Sequence, residues 1–256
     1  MTASVGSVLE CRDVRKYYGA LAAVDGVSLA IAPGETVGIG GPNGAGKTTF
    51  FDLISGLTPV SRGQVLFRGD TITGMSPHRL FHQGMARTFQ VTGGFTSMTV
   101  YENMMAAVVF GSGNQKPGLF FGREHRERTM FYLQDYGLTE LSGALVSDIP
   151  ALARKKLMVA TAIAHNPQLL LLDEPVGGLM PGEVDEFIDL ILNLKGRGIC
   201  VVFIEHVMRF LTRVADRAVI MHQGKIIYDG APLGIAKDPT VCSVYLGAEA
   251  DALGAS

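Results

Sequence analysis

The sequence predicts an α/β fold built on a mostly parallel sheet, with a helical region inserted in its middle. Three observations support this prediction. Short apolar runs alternate with helical stretches, a glycine-rich loop lies between a strand and a helix, and residues 98–164 have helical character. The chain has 256 residues, 47% hydrophobic and 18% charged, which suits one substantial globular domain. Its formal net charge of −2 argues against nucleic acid as the main partner.

The elements are predicted from periodicity and from the turn residues between them. The predicted strands lie at 7–11, 26–32, 36–39, 61–68, 169–172, 200–204, 218–222 and 225–228. The predicted helices lie at 47–55, 101–110, 123–136, 153–164, 183–194 and 207–215. The first two strands alternate apolar and polar residues, as half-exposed strands do, whereas the four leucines at 169–172 indicate a buried parallel strand. We expect no secretory signal and no membrane-spanning helix, because no apolar run approaches about 18 residues.

The glycine-rich loop matches the phosphate-binding pattern G-x-x-x-x-G-K-[ST] in full. It reads Gly41-Pro42-Asn43-Gly44-Ala45-Gly46-Lys47-Thr48, followed by Thr49. Backbone N–H groups of such a loop enclose an anion, and the N-terminus of the next helix adds positive potential. Lys47 would supply charge to the β- and γ-phosphates, and the Thr48 hydroxyl would bind Mg²⁺. A glycine-rich turn with a chance lysine is the alternative, which the flanking strand and helix disfavour.

Two carboxylates, Asp173 and Glu174, follow the run of leucines. A carboxylate at the end of a buried strand beside a phosphate loop can hold Mg²⁺, and the next residue can act as general base on the attacking water. An acidic strand end without a chemical role is the alternative. The intact phosphate loop favours catalysis, because the two segments are expected on neighbouring strands of one sheet.

The order of these motifs resembles the ATP-binding cassette (ABC) family. The resemblance rests on GPNGAGKTT at 41–49, a helical insertion and LLLLDEP at 169–175, and it extends from about Leu9 to Gly247. It implies ATP and Mg²⁺ as ligands, and a P-loop NTPase core with an antiparallel β subdomain and an inserted helical subdomain. The implied boundaries are a single domain at 7–247, with the core and β subdomain at about 7–90 and 166–240, the helical subdomain at about 91–165, and a loose tail at 248–256.

The resemblance also implies roles for residues outside the two strong motifs. Gln90 looks like the family's glutamine that lies near Mg²⁺ and at the junction with the membrane partner. His206 looks like the histidine that contacts the γ-phosphate. Tyr18 lies where the family keeps an aromatic residue that stacks on adenine, and neighbouring Tyr17 is its rival. The segment Gly178-Leu179-Met180 falls where a loop contacts the second subunit.

Four short segments resemble the ATPases of importers for branched-chain amino acids and related solutes. They are ARTFQ at 86–90, DEPVGGLMP at 173–181, IEHVM at 204–208 and VYLG at 244–247. This resemblance implies a peripheral ATPase on the cytoplasmic face of the inner membrane, with a second ATPase, membrane permeases and an external solute-binding protein. A soluble regulatory ABC ATPase not coupled to transport is the alternative. An ATPase acting on DNA or ribosomes would carry a coiled-coil insertion or a second cassette, and ARTFQ disfavours an exporter.

The family's signature segment, LSGGQ, is degenerate in this chain. It would fall at Ile149-Pro150-Ala151-Leu152-Ala153. Pro150 has neither an N–H group nor a hydroxyl, and the side chain of Leu152 would keep the backbone from a phosphate. The basic residues 154–156 follow, either as a source of positive potential or as a solvated face. We therefore predict a heterodimer with an ATPase that has an intact signature, rather than a homodimer.

Overall fold

A computed structural model describes residues 6–88, 95–111 and 122–244. The strands are β1 (Leu9–Tyr18), β2 (Leu21–Ile31), β3 (Thr36–Gly40), β4 (Arg62–Phe67), β5 (Asp70–Thr71), β6 (Met85–Arg87), β7 (Leu169–Asp173), β8 (Cys200–Ile204), β9 (Arg217–His222) and β10 (Lys225–Gly230). The helices are α1 (Lys47–Ile54), α2 (Pro77–His82), α3 (Val100–Gly111), α4 (Arg123–Asp135), α5 (Ala151–Ile163), α6 (Pro181–Gly196) and α7 (Met208–Val214). Every strand and helix expected from the sequence is present, but β1 continues to Tyr18 and β2 begins at Leu21, so both extend well beyond their predicted ranges.

The strands form two sheets. The first has the order β2-β1-β4-β5 and is antiparallel throughout. The second has the order β10-β9-β3-β8-β7-β6, in which all neighbours are parallel except β10 and β9. Parallel neighbours need crossover connections, which here are helices that cover the sheet. The predicted α/β fold, with a mostly parallel sheet and an antiparallel β part, is confirmed.

The strand β7 is buried on both faces, which explains its continuous run of leucines. Successive side chains of a strand point to opposite faces. Leu169 and Leu171 pack in the core between the two sheets, which includes Phe50 of α1. Leu170 and Leu172 pack in the core formed with the helices on the other face. A strand with one solvated face would have alternated, so the absence of alternation follows from the two cores.

The region predicted to be helical contains α3, α4 and α5, as expected. These helices pack around Val100, Met104, Leu133 and Leu157, all of them buried. The same core continues onto the parallel sheet through Leu170. In the three described ranges, no helix combines the length and the apolar character needed to cross a membrane.

Three elements were not predicted, the two-residue strand β5, the short helix α2 and the edge strand β6. The strand β6 has only three residues, too few to show a period, and it follows Gly84, whose φ is +98°. It pairs with β7, and Arg87 lies opposite Leu171. The strand therefore places Arg87 near the end of β7, beside Asp173.

Candidate functional site

The phosphate loop lies where β3 ends and α1 begins. Gly46 directly precedes α1 with a φ of +97°, and a Cβ there would lie 2.3 Å from the carbonyl oxygen of Ala23. Only glycine fits this left-handed conformation and this close contact. At Gly44, where φ is +77°, a Cβ would meet nothing within 4 Å. The loop is therefore packed at its junction with α1 and has open space at its tip.

The side chain of Lys47 lies along the phosphate loop. Its Nζ donates hydrogen bonds to the carbonyl oxygens of Gly41 (2.7 Å) and Pro42 (2.9 Å). Burial lowers the pKa of Lys47, and the negative charges of Glu174 and Asp173 oppose this shift. The lysine and the two carboxylates thus interact electrostatically at the place where phosphate groups would add further negative charge.

A cleft of about 690 Å³ opens over this loop. Its lining residues are Tyr18, Leu21, Ala22, Ala23, Asn43, Gly44, Ala45, Gly46, Lys47, Thr48, Thr49, Glu174, Gln223 and Gly224. Such a volume is typical of sites for small ligands, which span roughly 300–1,000 Å³. The predicted nucleotide-binding residues from Asn43 to Thr49 all line the cleft, whereas Gly41 is buried beneath it.

Of the two candidate tyrosines, Tyr18 lines the cleft and Tyr17 does not. Tyr18 ends β1 and is 52% exposed, with the Nζ of Lys16 5.0 Å from the centroid of its ring. Successive residues of a strand point to opposite faces, so the two tyrosines cannot share this position. The ring of Tyr18 is therefore accessible to a ligand above the phosphate loop.

Arg87 connects Asp173 to the helix that follows the phosphate loop. Its Nη2 donates to Oδ2 of Asp173 (3.0 Å), and its Nη1 donates to Oδ1 of Asp52 and to Oγ of Ser55, both at 2.7 Å. Burial raises the pKa of Asp173, and the positive charge of Arg87 opposes that shift. The sequence did not single out Arg87 for such a role.

Glu174 has an unusual backbone conformation, with a φ of +46°. Non-glycine residues are uncommon in this left-handed region. Three hydrogen bonds hold the residue there: its N–H donates to Ile204 (3.1 Å), and its carbonyl oxygen accepts from Gly177 N–H (3.2 Å) and from Lys155 Nζ (3.1 Å). In this conformation the side chain of Glu174 lines the cleft. A strained residue held by its surroundings is typical of functional sites.

His206 shares an edge of the sheet with these groups but lies outside the cleft lining. The strands β3, β8 and β7 are neighbours, so their carboxyl ends bring the phosphate loop, His206 and the two carboxylates to one edge. The side chain of His206 is 64% exposed, and its Nδ1 lies 3.7 Å from Oε2 of Glu205. Gln90 lies outside the described residues, as does the 248–256 tail, so the role of Gln90 and the loose tail stay predictions.

The degenerate signature segment leads into α5. Pro150 immediately precedes the helix, and Ala151 is its first residue. The side chain of Leu152 packs against the helical core, and Ala153 is buried. The expected obstruction by Leu152 is therefore weaker than the sequence suggested, because much of its side chain is turned inward. The missing hydroxyl and N–H group of Pro150 are unaffected by this correction.

The three basic residues after the signature segment are all bound within the chain. The Nη2 of Arg154 donates to the carbonyl oxygens of Ser147 (3.1 Å) and Ile149 (3.3 Å). Lys155 donates to the backbone of Glu174, as described above. Lys156 forms an ion pair with Glu186. All three side chains are partly buried, so each is less solvated than a freely exposed residue, and each already has a partner within the chain.

The oxygen ligands at this edge of the sheet fit Mg²⁺. Mg²⁺ is usually bound by one or two carboxylates together with the phosphates of a substrate, rather than by a complete set of protein ligands. Thr48 and Asp173 supply a hydroxyl and a carboxylate here. In the described part of the chain, no group of three or more His, Cys, Asp or Glu residues could hold a metal ion on its own. The site thus fits an ion that arrives with a phosphorylated substrate.

Comparisons with known proteins agree with this geometry. The profile of the ABC transporter family matches residues 24–177, more than half of the chain. The high-affinity branched-chain amino acid transport ATP-binding protein BraF of Pseudomonas aeruginosa is 33% identical over 249 residues, which cover 94% of this chain and 98% of BraF. The lipopolysaccharide export system ATP-binding protein LptB of Haemophilus influenzae is 32% identical over 241 residues, with the same two coverages.

A solved structure shows the same fold. A nucleotide-free ATP-binding cassette from an ABC transporter superposes with a TM-score of 0.85 and 29% identity, over 93% of this chain and 98% of that one. The family match and the relatives above 30% identity extend over both sheets, the phosphate loop and the carboxylates. The chain belongs to the ABC transporter family and is an ATPase of that family.

Proposed function

We propose that this chain binds ATP in the cleft above the phosphate loop and hydrolyses it to power an importer of branched-chain amino acids or related small solutes. The observation that carries the proposal is the cleft at the edge of the parallel sheet, which is lined by the phosphate loop with Lys47 and by Glu174, directly after Asp173. A cation beside two carboxylates, under a loop of backbone N–H groups, suits a phosphate ester and its counterion.

In the proposed binding mode, the ring of Tyr18 stacks on adenine, and the phosphates lie against the loop from Gly41 to Thr49. Lys47 contacts the β- and γ-phosphates and exchanges its present carbonyl partners for phosphate oxygens. Thr48, Asp173 and Gln90 would hold Mg²⁺, which when bound would neutralise part of the negative charge of the phosphates.

Hydrolysis requires a base close to the terminal phosphate. Glu174 accepts a proton from the attacking water, which approaches the γ-phosphorus in line with the leaving oxygen. The left-handed backbone of Glu174 aims its carboxylate into the cleft, which supports this role. His206, exposed at the same edge, contacts the γ-phosphate.

The second half of each ATP site comes from another subunit in this proposal. Met180 is 69% exposed just beyond the turn that holds Glu174, in the loop predicted to contact that subunit. Pro150 makes the signature segment of this chain a poor partner for ATP bound opposite. We therefore propose a heterodimer in which the partner ATPase supplies an intact signature, and in which the second site is slow or silent.

The assembly and its location are also proposals. We place the cassette, with the domain boundaries given above, on the cytoplasmic face of the inner membrane, bound to permeases and dependent on an external solute-binding protein. The name of BraF supports import of branched-chain amino acids. LptB has a similar identity to this chain and is named for lipopolysaccharide export. The proposed solute therefore needs an experiment that distinguishes the two transport systems.

The test is an affinity purification of the tagged chain from its native membranes, with identification of the proteins that accompany it. We expect a second ATPase with an intact signature and two permeases, which would support the asymmetric importer. Recovery of the chain with itself alone, without a membrane protein, would contradict both the heterodimer and the transport role. Recovery with lipopolysaccharide export components would replace the proposed solute.

A further inference from the structure

The carboxylate of Glu205 is fully buried and accepts three backbone hydrogen bonds. Its Oε1 accepts from the N–H of Val176 (3.0 Å), and its Oε2 accepts from the N–H groups of His206 (2.9 Å) and Val207 (3.1 Å). Within the described ranges no lysine or arginine lies within 4.0 Å of it, and the nearest ring nitrogen is Nδ1 of His206, 3.7 Å from Oε2. Burying a carboxylate is costly unless hydrogen bonds compensate, so this arrangement has to serve some requirement.

The three hydrogen bonds connect two segments that are separate in the sequence. Val176 lies two residues after Glu174, in the turn that the carbonyl oxygen of Glu174 closes by accepting from Gly177. The other two donors belong to His206 and the residue after it. The backbone N–H of Glu205 also donates to Ile39 of β3 (3.2 Å), the strand that leads into the phosphate loop. One side chain thus links both segments next to the strand of the phosphate loop.

Lys155 contacts the same turn. Its Nζ donates to the carbonyl oxygen of Glu174, and the side chain is partly buried. Burial lowers the pKa of Lys155, and the negative charges of Glu205 and Glu174 oppose this shift. The hydrogen bond of Lys155 to the backbone of Glu174 therefore adds a second contact that holds this turn, next to those of Glu205.

We propose that Glu205 is a positioning residue for ATP hydrolysis, which holds His206 and Glu174 at a fixed separation through its hydrogen bonds to both backbone segments. The inference rests on the proposed roles of His206 and Glu174. Glu205 itself is fully buried and does not contact the nucleotide. It acts by restricting the backbone, so that the base and the histidine meet the γ-phosphate in one geometry.

Two variants test the link. Glu205→Gln keeps the size of the side chain but replaces one oxygen with an NH₂ group, which cannot accept a hydrogen bond from a backbone N–H. Glu205→Asp keeps the charge and the neighbouring N–H partners, but it is shorter by about 1.5 Å and should not reach Val176. Glu127→Gln is the matched control, because Glu127 is exposed and pairs with Arg123 on the surface of α4.

The measurements are made on the full chain in its native complex. For both Glu205 variants we expect ATP turnover to fall between about 10- and 100-fold, as small misplacements of reacting groups do, with ATP affinity unchanged within about twofold. When Glu205 is changed in a protein that already carries His206→Ala, the further loss of turnover should be much smaller, because residues that act together have non-additive effects. Hydrogen exchange should accelerate in peptides that cover 174–178, and Glu127→Gln should match the wild type in each assay.

The outcomes separate this inference from the proposed function. Wild-type turnover in Glu205→Gln would show that Glu205 has no role in hydrolysis. Equal losses of ATP affinity and turnover, together with a lower melting temperature, would show that Glu205 contributes only to general packing. Either result would overturn the positioning role. Additive losses with His206→Ala would do the same. If the wild-type complex hydrolyses no ATP, the proposed function fails. Exchange then still decides the inference, since unchanged exchange at 174–178 in Glu205→Asp would show that the link is absent.

Discussion

Replacing Arg87 with methionine would remove the guanidinium that bridges Asp52 and Asp173. The side chains of Arg87, Asp173 and Asp52 are 7%, 9% and 30% exposed, and the two ion pairs measure 3.0 and 2.7 Å. Removing one partner of a buried ion pair destabilises a protein by about 3–5 kcal/mol, because the remaining charge is left without compensation. Since Asp52 is partly solvated, we expect a loss near the lower end, about 3 kcal/mol.

The same substitution should change how the protein responds to pH. Burial already raises the pKa of Asp173, and Arg87 opposes that shift, so the pKa rises further in Arg87→Met. Asp173 is then ionised only at higher pH, so the acid limb of the pH profile of ATP hydrolysis shifts to higher pH. A folded-state pKa above the unfolded value means that the folded protein retains a proton which the unfolded chain releases. Stability from this group therefore falls as pH rises through that window, and the loss in Arg87→Met should be larger at neutral pH than in acid.

The assay is urea unfolding of the wild type and the variant at neutral and acidic pH, with turnover profiles at saturating ATP and Mg²⁺. The control is Arg123→Met, because Arg123 and its partner Glu127 are 92% and 62% exposed. Exposed pairs contribute about 0–1 kcal/mol, so the control should stay close to the wild type. If Arg87→Met is as stable as Arg123→Met, or its acid limb does not move, then Arg87 does not support Asp173.

Three further predictions follow from the site and one from a partly buried histidine, His165. Lys47→Ala should lose nucleotide binding in a calorimetric titration, and retained affinity would contradict its phosphate role. Glu174→Gln should bind ATP but hydrolyse it far more slowly, and normal turnover would exclude it as the base. Tyr18→Ala should weaken ATP affinity by about fivefold through lost stacking, while Tyr17→Ala should not, and equal losses would refute the assignment. Burial lowers the pKa of His165 from the ordinary value of 6.5 to about 4. The unfolded chain therefore takes up a proton first, and stability should fall as the pH drops from 6.5 towards 4. His165→Leu should flatten this dependence in urea unfolding, and an unchanged slope would contradict it.

The fold could be predicted because its strongest local signals agree with its global arrangement. The four leucines of β7 are buried on both faces, and the glycine loop joins a strand to a helix, as the pattern requires. The strand β6 was missed because three residues show no period, and its burial comes from β7 rather than from its own sequence. The first strand was predicted too short, since Asp13 interrupts the alternation where its φ is +48° and the register shifts.

The supporting residues of the site were harder to predict because their partners are distant in the sequence. Arg87 lies 86 residues from Asp173, and Glu205 lies 29 residues from Val176. A signal for Glu205 was nevertheless present. It directly follows the apolar strand β8, as the Asp173–Glu174 pair closes the apolar strand β7, and parallel strands end at one edge of a sheet. A carboxylate in that position is as much a candidate as the motif residues themselves.

The positions of the three cations in α5 strengthen the case for an asymmetric dimer. Arg154 is bound to carbonyl groups at the start of α5, Lys155 to the backbone of Glu174, and Lys156 to Glu186. Each would have to give up its present partner before it could contact ATP held by another subunit; the contact of Lys155 is partly buried, whereas Glu186, the partner of Lys156, is 55% exposed. A phosphate from that subunit would meet a helix start without the serine hydroxyl, beside side chains that already have partners. Lys155, which is engaged with Glu174, helps to hold Glu174 in the ATP site built on this chain's own phosphate loop. The segment that makes this chain a poor partner for ATP on the other subunit would thus support the chain's own site.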